Sequence, residues 1–486
     1  MNTIAQLVAH HAEFRPHDIA FVEAGTGRSL TWHDYDAQAR ALARRLLGME
    51  RGTRIALHIH DGIDMHIAMV ACELAGIVGV GIGARAGARE IDHLVEVTAA
   101  RFVVATLEEL AACSSSDASQ ELRPFDADEL WFLNSTSGTT GLPKCVMHNQ
   151  RRWFAFHELA KGSARFTNND VMMSLLPAPF GFGLWTSHFT PTILGIPCVI
   201  LDRYTPSAAS AAIEHHGVSI LAAVSTQFVI MLNDPTLHGV NTSALRVLFT
   251  GGEMVPPTRA KEWEDVTGSR VLQFYGSNET GALSYTSLDD NELVRLHTAG
   301  HVIQDLDVRL LDPETGADIT MTGGPGIAAC RGVVNCLGYF NDDAANRDLV
   351  TDDGWMRTGD LCTIDEHGVL TVAGRASDFI IRGGKNISAT AVEQACATMP
   401  GVDAAAAVAK SDPTFGERVC VFCVLRPDQN DFSLASLCSH LERQGVGKEY
   451  WPEYLVLRRE PLPVSSGGKV AKGELRTIAT ALPIRI

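Results

Sequence analysis

Short apolar runs that alternate with helix-like spans constrain this chain more than any other feature. Strand-like segments read at Phe102–Ala105, Cys198–Leu201, Ile220–Val224, Arg246–Thr250 and Val271–Phe274, with helical stretches such as Pro206–His216 between them. That alternation points to parallel sheets layered with helices and away from a β-sandwich. The opening has the same rhythm: helical apolar spacing from Ile4, a strand at Ile19–Glu23, and a helix over Asp34–Leu47 capped by Thr31 or His33-Asp34. Arg54–His60 alternates as a strand with His58 and His60 on one face; with no third ligand nearby, hydrogen-bonded or solvated histidines are expected in place of a metal site. After Gly281 the pattern changes to short strands, Val308–Leu311 and Gly368–Ala373, joined by Asp-Pro and Gly-rich turns, which suits a small β-rich subdomain. A separate α+β unit starts near Ser377, with helices at Ala389–Met399 and Leu434–Gln444 and strands at Ala404–Val408 and Arg418–Leu425.

At 486 residues, 46% of them apolar, the chain is long enough for two or more domains with substantial cores. Its 40 basic and 57 acidic side chains leave a formal charge of −17, and no Lys/Arg block offsets it, so nucleic acid and anionic membranes are poor partners. The start, Met1-Asn2-Thr3-Ile4-Ala5-Gln6, lacks a basic segment followed by an apolar core, and export is not expected. Ile67–Ala84 is apolar enough to test against a spanning length of roughly 20 residues. Glu73 and four glycines within it argue instead for a buried helix running into a buried strand. Eleven cysteines are scattered singly, and the sole Cys-x-x-Cys, Cys420 to Cys423, falls inside a strand whose alternation turns the two to opposite faces. Buried free thiols and a reducing cytoplasm follow, not a zinc or redox site.

The chemistry is concentrated in residues 135–144, Ser-Thr-Ser-Gly-Thr-Thr-Gly-Leu-Pro-Lys, which follow the apolar run Leu130–Leu133. Gly138 and Gly141 free the backbone to wrap a polyphosphate, five hydroxyls can donate to its oxygens, and Lys144 adds a mobile positive charge. The plain alternative is a flexible Gly/Ser/Thr linker. The segment is not a P-loop, because no glycine directly precedes the lysine and no Ser or Thr follows it.

This loop resembles the phosphate-binding signature of the adenylate-forming superfamily: acyl-CoA synthetases, nonribosomal-peptide adenylation domains and luciferases. Four later segments resemble family motifs in family order: Gln273–Gly281 with its aromatic-Gly and Glu279, Trp355–Leu361, Gly374–Asp378, and Pro463–Lys469. Asn278 stands where the family usually has threonine, and Ser377 where Asp or Lys is commoner. The resemblance implies an α/β protein with a large N-terminal domain of layered α/β subdomains plus a small β-barrel (1–375) and a small mobile α+β lid (376–486), the active site lying between them.

It also implies roles. Ser135, Thr136, Ser137, Gly138, Thr139, Thr140, Gly141 and Lys144 would hold the β- and γ-phosphates of ATP, and Glu279, with Thr140 or Thr139, would face Mg2+. Tyr275 and the Gly251-Gly252-Glu253 turn would enclose adenine, Gly276 would belong to the same ATP/AMP-binding set, Asp360 would accept from both ribose hydroxyls, Arg375 would donate to the ribose or the phosphate, and Asn278 would donate to the α-phosphate. Lys469 would bridge the acyl carboxylate and the α-phosphate. The acyl pocket would be formed by Phe180, Phe182, Trp185, Ser225, Gly252, Gly276, Ser277 and Ala282. Ser377 would act as hinge, and Arg382, Gly383, Gly384 and Lys385 would belong to the loop that meets coenzyme A. The stretch Pro179–Trp185 contains no acid, and an unpaired buried ammonium would cost several kcal/mol, which disfavours amino acids as substrates. The expected activity is therefore ATP-dependent conversion of an aromatic, alicyclic or medium-chain acid to its adenylate and then to a CoA thioester. Loading of a carrier-protein arm is the alternative acceptor, and a non-catalytic nucleotide-binding protein or a luciferase-like oxygenase are the alternative classes. Monomer and homodimer are both compatible with the sequence.

Overall fold

The structure is a computed structural model. It describes all residues except Met1, Asp61, 115–119, 136–142, Met254, 376–377, 383–384, 427–428, Asn430, 465–469 and 484–486, and the side chains of Arg375, Lys385 and Asn386 are also outside the description.

A nine-stranded sheet forms the centre of the large unit. Its order is His301–Val302, Gly281–Tyr285, Arg270–Ser277, Val247–Gly251, Ile220–Ala222, Met172–Ser174, Cys198–Ile200, Ile19–Glu23 and Ser29–Thr31. The six strands from Arg270–Ser277 to Ile19–Glu23 run parallel, and the edges are antiparallel. Successive residues feed opposite cores: Val247 and Phe249 join one apolar cluster while Leu248 joins the other. Burial on both faces is why these runs read as continuously apolar rather than alternating.

A second sheet orders Phe102–Val104, Arg54–Leu57, Val78–Gly81, Phe132–Ser135 and Cys145–His148. The strand expected over Arg54–His60 stops at Leu57, because its neighbour ends at Val104 and His58 N makes the last rung to Val104 O. The apolar stretch after Ile63 is a 13-residue helix, Ile63–Ala75, ended by Gly76 at φ +68° and followed by the buried strand Val78–Gly81. At about 20 Å it is too short for the ~30 Å hydrocarbon layer. No helix among the described residues is long and apolar enough to cross a membrane.

That helix carries His66, whose Nδ1 lies 3.0 Å from Nδ1 of His188, with both rings fully buried and stacked at 5.2 Å. Two facing nitrogens need one donor and one acceptor, so at least one of the two imidazoles is neutral. Burial lowers His66 to about 3, and burial together with His66 holds His188 well below the ordinary value. The unfolded chain takes up these protons near pH 6.5, while the native state does not until far lower. The pair's stability contribution is therefore complete above that pH and is lost as pH falls toward 3. A His66→Leu/His188→Leu variant is expected to show a shallower fall of melting temperature between pH 6.5 and 4 than the parent; parallel curves would refute the reading.

The β-rich subdomain, expected as a small barrel, is a four-stranded antiparallel sheet, Asp307–Leu311, Gly326–Arg331, Met356–Ile364 and Leu370–Arg375, linked to the large sheet by the His301–Val369 bridge. Beyond it, a separate sheet of Lys385–Ser388, Phe379–Arg382, Gly416–Leu425, Val402–Asp412 and Tyr454–Arg458 packs against helices Ala389–Ala397, Leu434–Arg443 and Lys472–Ala481. Cys420 and Cys423 enter opposite cores of this unit, and all eleven cysteines are free thiols. Among the described residues, no apolar cluster spans the large and small units. Polar groups do so: Asn233 Nδ2 donates to Asp403 Oδ2 at 2.6 Å, Arg259 stands 3.9 Å from Asp403, and Arg426, which also pairs with Asp403 inside the small unit, reaches Glu262 at 3.1 Å.

Candidate active site

A cavity of about 670 Å³ opens between the ends of the large sheet's strands and the small unit. Ser225, Gly252, Glu253, Tyr275, Gly276 and Asp360 line it from one side, and Asp378, Glu393 and Lys472 from the other. The strand Val247–Gly251 delivers the glycine pair. A Cβ on Gly251 would run into the carbonyl of Phe274, and Gly252 turns the chain at φ +78°, so both positions need glycine. Glu253 is fixed by accepting from Thr226 N at 2.9 Å and Thr226 Oγ1 at 3.2 Å.

Tyr275 comes from the neighbouring strand, and its hydroxyl donates to Asp360 Oδ2 at 3.0 Å. Burial, with Asp360 and Cys362 beside it, pushes the phenol well above its ordinary value, so it stays a donor. Asp360 is placed by the third sheet, where its backbone N donates to Thr358 Oγ1 at 3.1 Å. An aromatic ring, a glycine turn and an acceptor carboxylate thus share one wall of the cavity.

The strands Phe132–Ser135 and Cys145–His148 pair antiparallel and flank the Gly-rich loop. Thr136, Ser137, Gly138, Thr139, Thr140 and Gly141 lie outside the described residues, as do Ser377, Gly383, Gly384 and Lys469 and the side chains of Arg375 and Lys385. Lys144, at the loop's far end, places Nζ 4.9 Å from the Tyr339 ring centroid, and the Tyr339 hydroxyl donates to Glu279 Oε1 at 2.8 Å. Tyr339, itself pushed upward by burial and by Glu279, connects the loop lysine to the carboxylate. Nothing in the local sequence marks it; an isolated bridge to Val146 carries it there. On the other side, Val464 and Val470, which bracket Lys469, form an antiparallel bridge, and Leu462 and Val470 line the cavity.

The acyl segment folds as a short helical turn, Gly181–Gly183, that continues as a π-helix over Leu184–Phe189. Trp185 is fully buried among Phe156, Phe249 and Phe274 at 4.7–5.4 Å, with Phe182 stacked on it at 6.1 Å. It is a core ring behind the site. Phe180, Phe182, Ser277 and Ala282 likewise stand outside the cavity lining, whereas Ser225, Gly252 and Gly276 are in it. The Ser277 hydroxyl accepts from Glu279 N and Thr280 N, closing the turn between the two site strands. Arg382, on the loop expected to meet coenzyme A, is paired with Glu453 at 2.6 Å inside the small unit.

Two family descriptions match the chain in order: AMP-binding enzyme over residues 8–340 and AMP-binding enzyme C-terminal domain over residues 391–469. A medium-chain fatty-acid–CoA ligase of Escherichia coli (strain K12) is 29% identical over 509 residues, covering 96% of this chain and 88% of that protein. A feruloyl-CoA synthase of an Amycolatopsis species is 28% identical, covering 96% of each. The solved benzoate CoA ligase of Burkholderia xenovorans LB400 superimposes with a TM-score of 0.87 at 21% identity, over 98% of this chain and 100% of that one. With both domains matched in sequence, the chain belongs to the AMP-binding enzymes, in the acid–CoA ligase branch of the adenylate-forming superfamily.

Proposed function

We propose that this protein joins an aromatic, alicyclic or medium-chain carboxylic acid to coenzyme A through an acyl-adenylate. The observation that carries this is the convergence of Gly252, Tyr275, Gly276 and Asp360 on a cavity closed from the far side by the small unit. In the first step a carboxylate oxygen attacks the α-phosphorus of ATP and the bond to pyrophosphate breaks. In the second, the CoA sulfur attacks the acyl carbonyl and AMP leaves. Both partners of the first step are anions, so aligned donors and cations govern its rate. Asp360 is assigned to the ribose hydroxyls, Tyr275 and Gly252 to adenine, Lys144 and the Gly-rich loop to the terminal phosphates, and Lys469 to the charge that gathers between carboxylate and α-phosphate.

No group of three His, Cys, Asp or Glu able to cage a metal exists among the described residues. Mg2+ retains waters and takes phosphate oxygens, so it needs only one or two protein carboxylates, and Glu279 beside Lys144 and Tyr339 fits that donor set. When bound, the ion would neutralise phosphate charge. Glu279→Gln is expected to raise the Mg2+ concentration for half-maximal rate by about ten-fold. An unchanged Mg2+ titration would remove Glu279 from the metal's neighbourhood.

The absence of an acid in Pro179–Trp185 and the aromatic wall behind it support an uncharged acyl group. The test is pyrophosphate release with ATP and Mg2+ across aromatic, alicyclic, fatty and amino acids, each with and without CoA. Release that depends on one non-amino acid class and turns over only with CoA is expected. Adenylate that forms but stalls with CoA would replace CoA by a carrier-protein arm.

A further inference from the structure

Arg152 is 1% exposed, and its guanidinium donates to groups on and around the Asn278–Glu279 turn. Nη1 reaches Asn278 O at 3.0 Å, Nη2 reaches Glu279 O at 3.2 Å, and Nε reaches Val334 O at 2.9 Å. Nη1 also lies 2.7 Å from His148 Nδ1. A guanidinium has no acceptor, so His148 Nδ1 is the bare nitrogen and the ring proton sits on Nε2. That N–H faces Asn134 Oδ1 at 2.8 Å, which fixes the Asn134 amide with its oxygen toward the histidine. The same oxygen accepts from Asn278 Nδ2 at 2.5 Å, and Asn134 Nδ2 returns to Asn278 Oδ1 at 3.3 Å. Every bond from Arg152 to Asn278 therefore has its direction set by one permanent cation. Gly181 completes the arrangement, because a Cβ there would collide with Asn278 Oδ1.

We infer that Arg152, His148 and Asn134 are positioning residues that hold the backbone of Asn278–Glu279 and fix the polarity of the Asn278 amide for adenylate formation. This rests on the ligase reading above. An asparagine amide has nearly the same shape in its two orientations, yet one offers N–H to an anion and the other offers a carbonyl oxygen. The relay selects between them before substrate arrives. Arg152 holds the carbonyls of two successive peptides, those of Asn278 and Glu279, so side chain and main chain are set together.

Asn134→Ala removes the relay, and Asn134→Asp keeps its shape while offering only acceptors, so it still takes the His148 proton but cannot donate to Asn278. Both variants are to be measured for acid-dependent ATP–pyrophosphate exchange and, separately, for acyl transfer to CoA from a supplied acyl-adenylate. The expected result is a fall of about ten-fold or more in kcat for exchange in both variants, with transfer within about two-fold of the parent. Unchanged exchange, or an equal fall in both half-reactions, overturns the inference. A parent protein that exchanges with no acid fails the ligase reading itself and takes this inference with it.

Discussion

Lys469→Ala is expected to cut adenylate formation by about two to three orders of magnitude while leaving thioester formation from a supplied acyl-adenylate within a few-fold of the parent. The physical reason is local to the first step. A carboxylate and a polyphosphate must come within bonding distance, and a cation held between them offsets a repulsion that grows as the distance closes. Once the adenylate exists, that repulsion is gone and the second step proceeds at the neutral acyl carbonyl. Val464 and Val470, the described residues on either side of the lysine's segment in sequence, form an antiparallel bridge, and Leu462 and Val470 line the cavity. Pyrophosphate exchange and CoA acylation, followed on the same preparation, separate the two steps; equal losses in both would contradict the assignment.

Gly276→Ala is expected to lower stability by about 1–3 kcal/mol and adenylation by roughly a hundred-fold. A methyl at this position would fall inside the carbonyl of Gly281 and 2.7 Å from Cα of Ala282, both backbone atoms of the paired strand. Neither can yield without opening the turn that Ser277 closes and that carries Asn278 and Glu279. The variant therefore moves the Tyr275 wall and the Glu279 carboxylate at once. Its melting temperature and its KM for ATP should both shift; a variant that melts earlier but retains normal adenylation would show that the turn tolerates the opening.

Much of the scaffold was legible because burial on both faces leaves a simple trace. Runs such as Val247-Leu248-Phe249 are apolar at every position, and that pattern names a central strand whatever its partners are. Cysteines three apart on Gly416–Leu425 were readable for the same reason, since alternation alone sends Cys420 and Cys423 into different cores. Strand ends were less readable: Arg54–His60 keeps its pattern past Leu57, but pairing ends where the neighbour ends. Side-chain roles depend on contacts between distant segments. Arg151 and Arg152 are adjacent and alike in sequence, yet Arg151 pairs with the exposed Asp128 and Arg152 is buried beside Asn278. Trp185 has the composition of a pocket residue and the position of a core one. Tyr339, 60 residues from Glu279, carries no local mark at all.

The polar contact between the two units has a consequence for their separation. Because no apolar cluster among the described residues crosses the boundary, parting the units hands carboxylates, guanidinia and an amide back to water. The charges are not equally accessible. Arg426 and Glu262 are each more than a third exposed, whereas Arg259 and Asp403 are both under a tenth. Dissolved salt screens the first couple strongly and the second weakly. Ionic strength thus becomes a graded control on how readily the small unit lets go, acting through the outer couple and sparing the inner one.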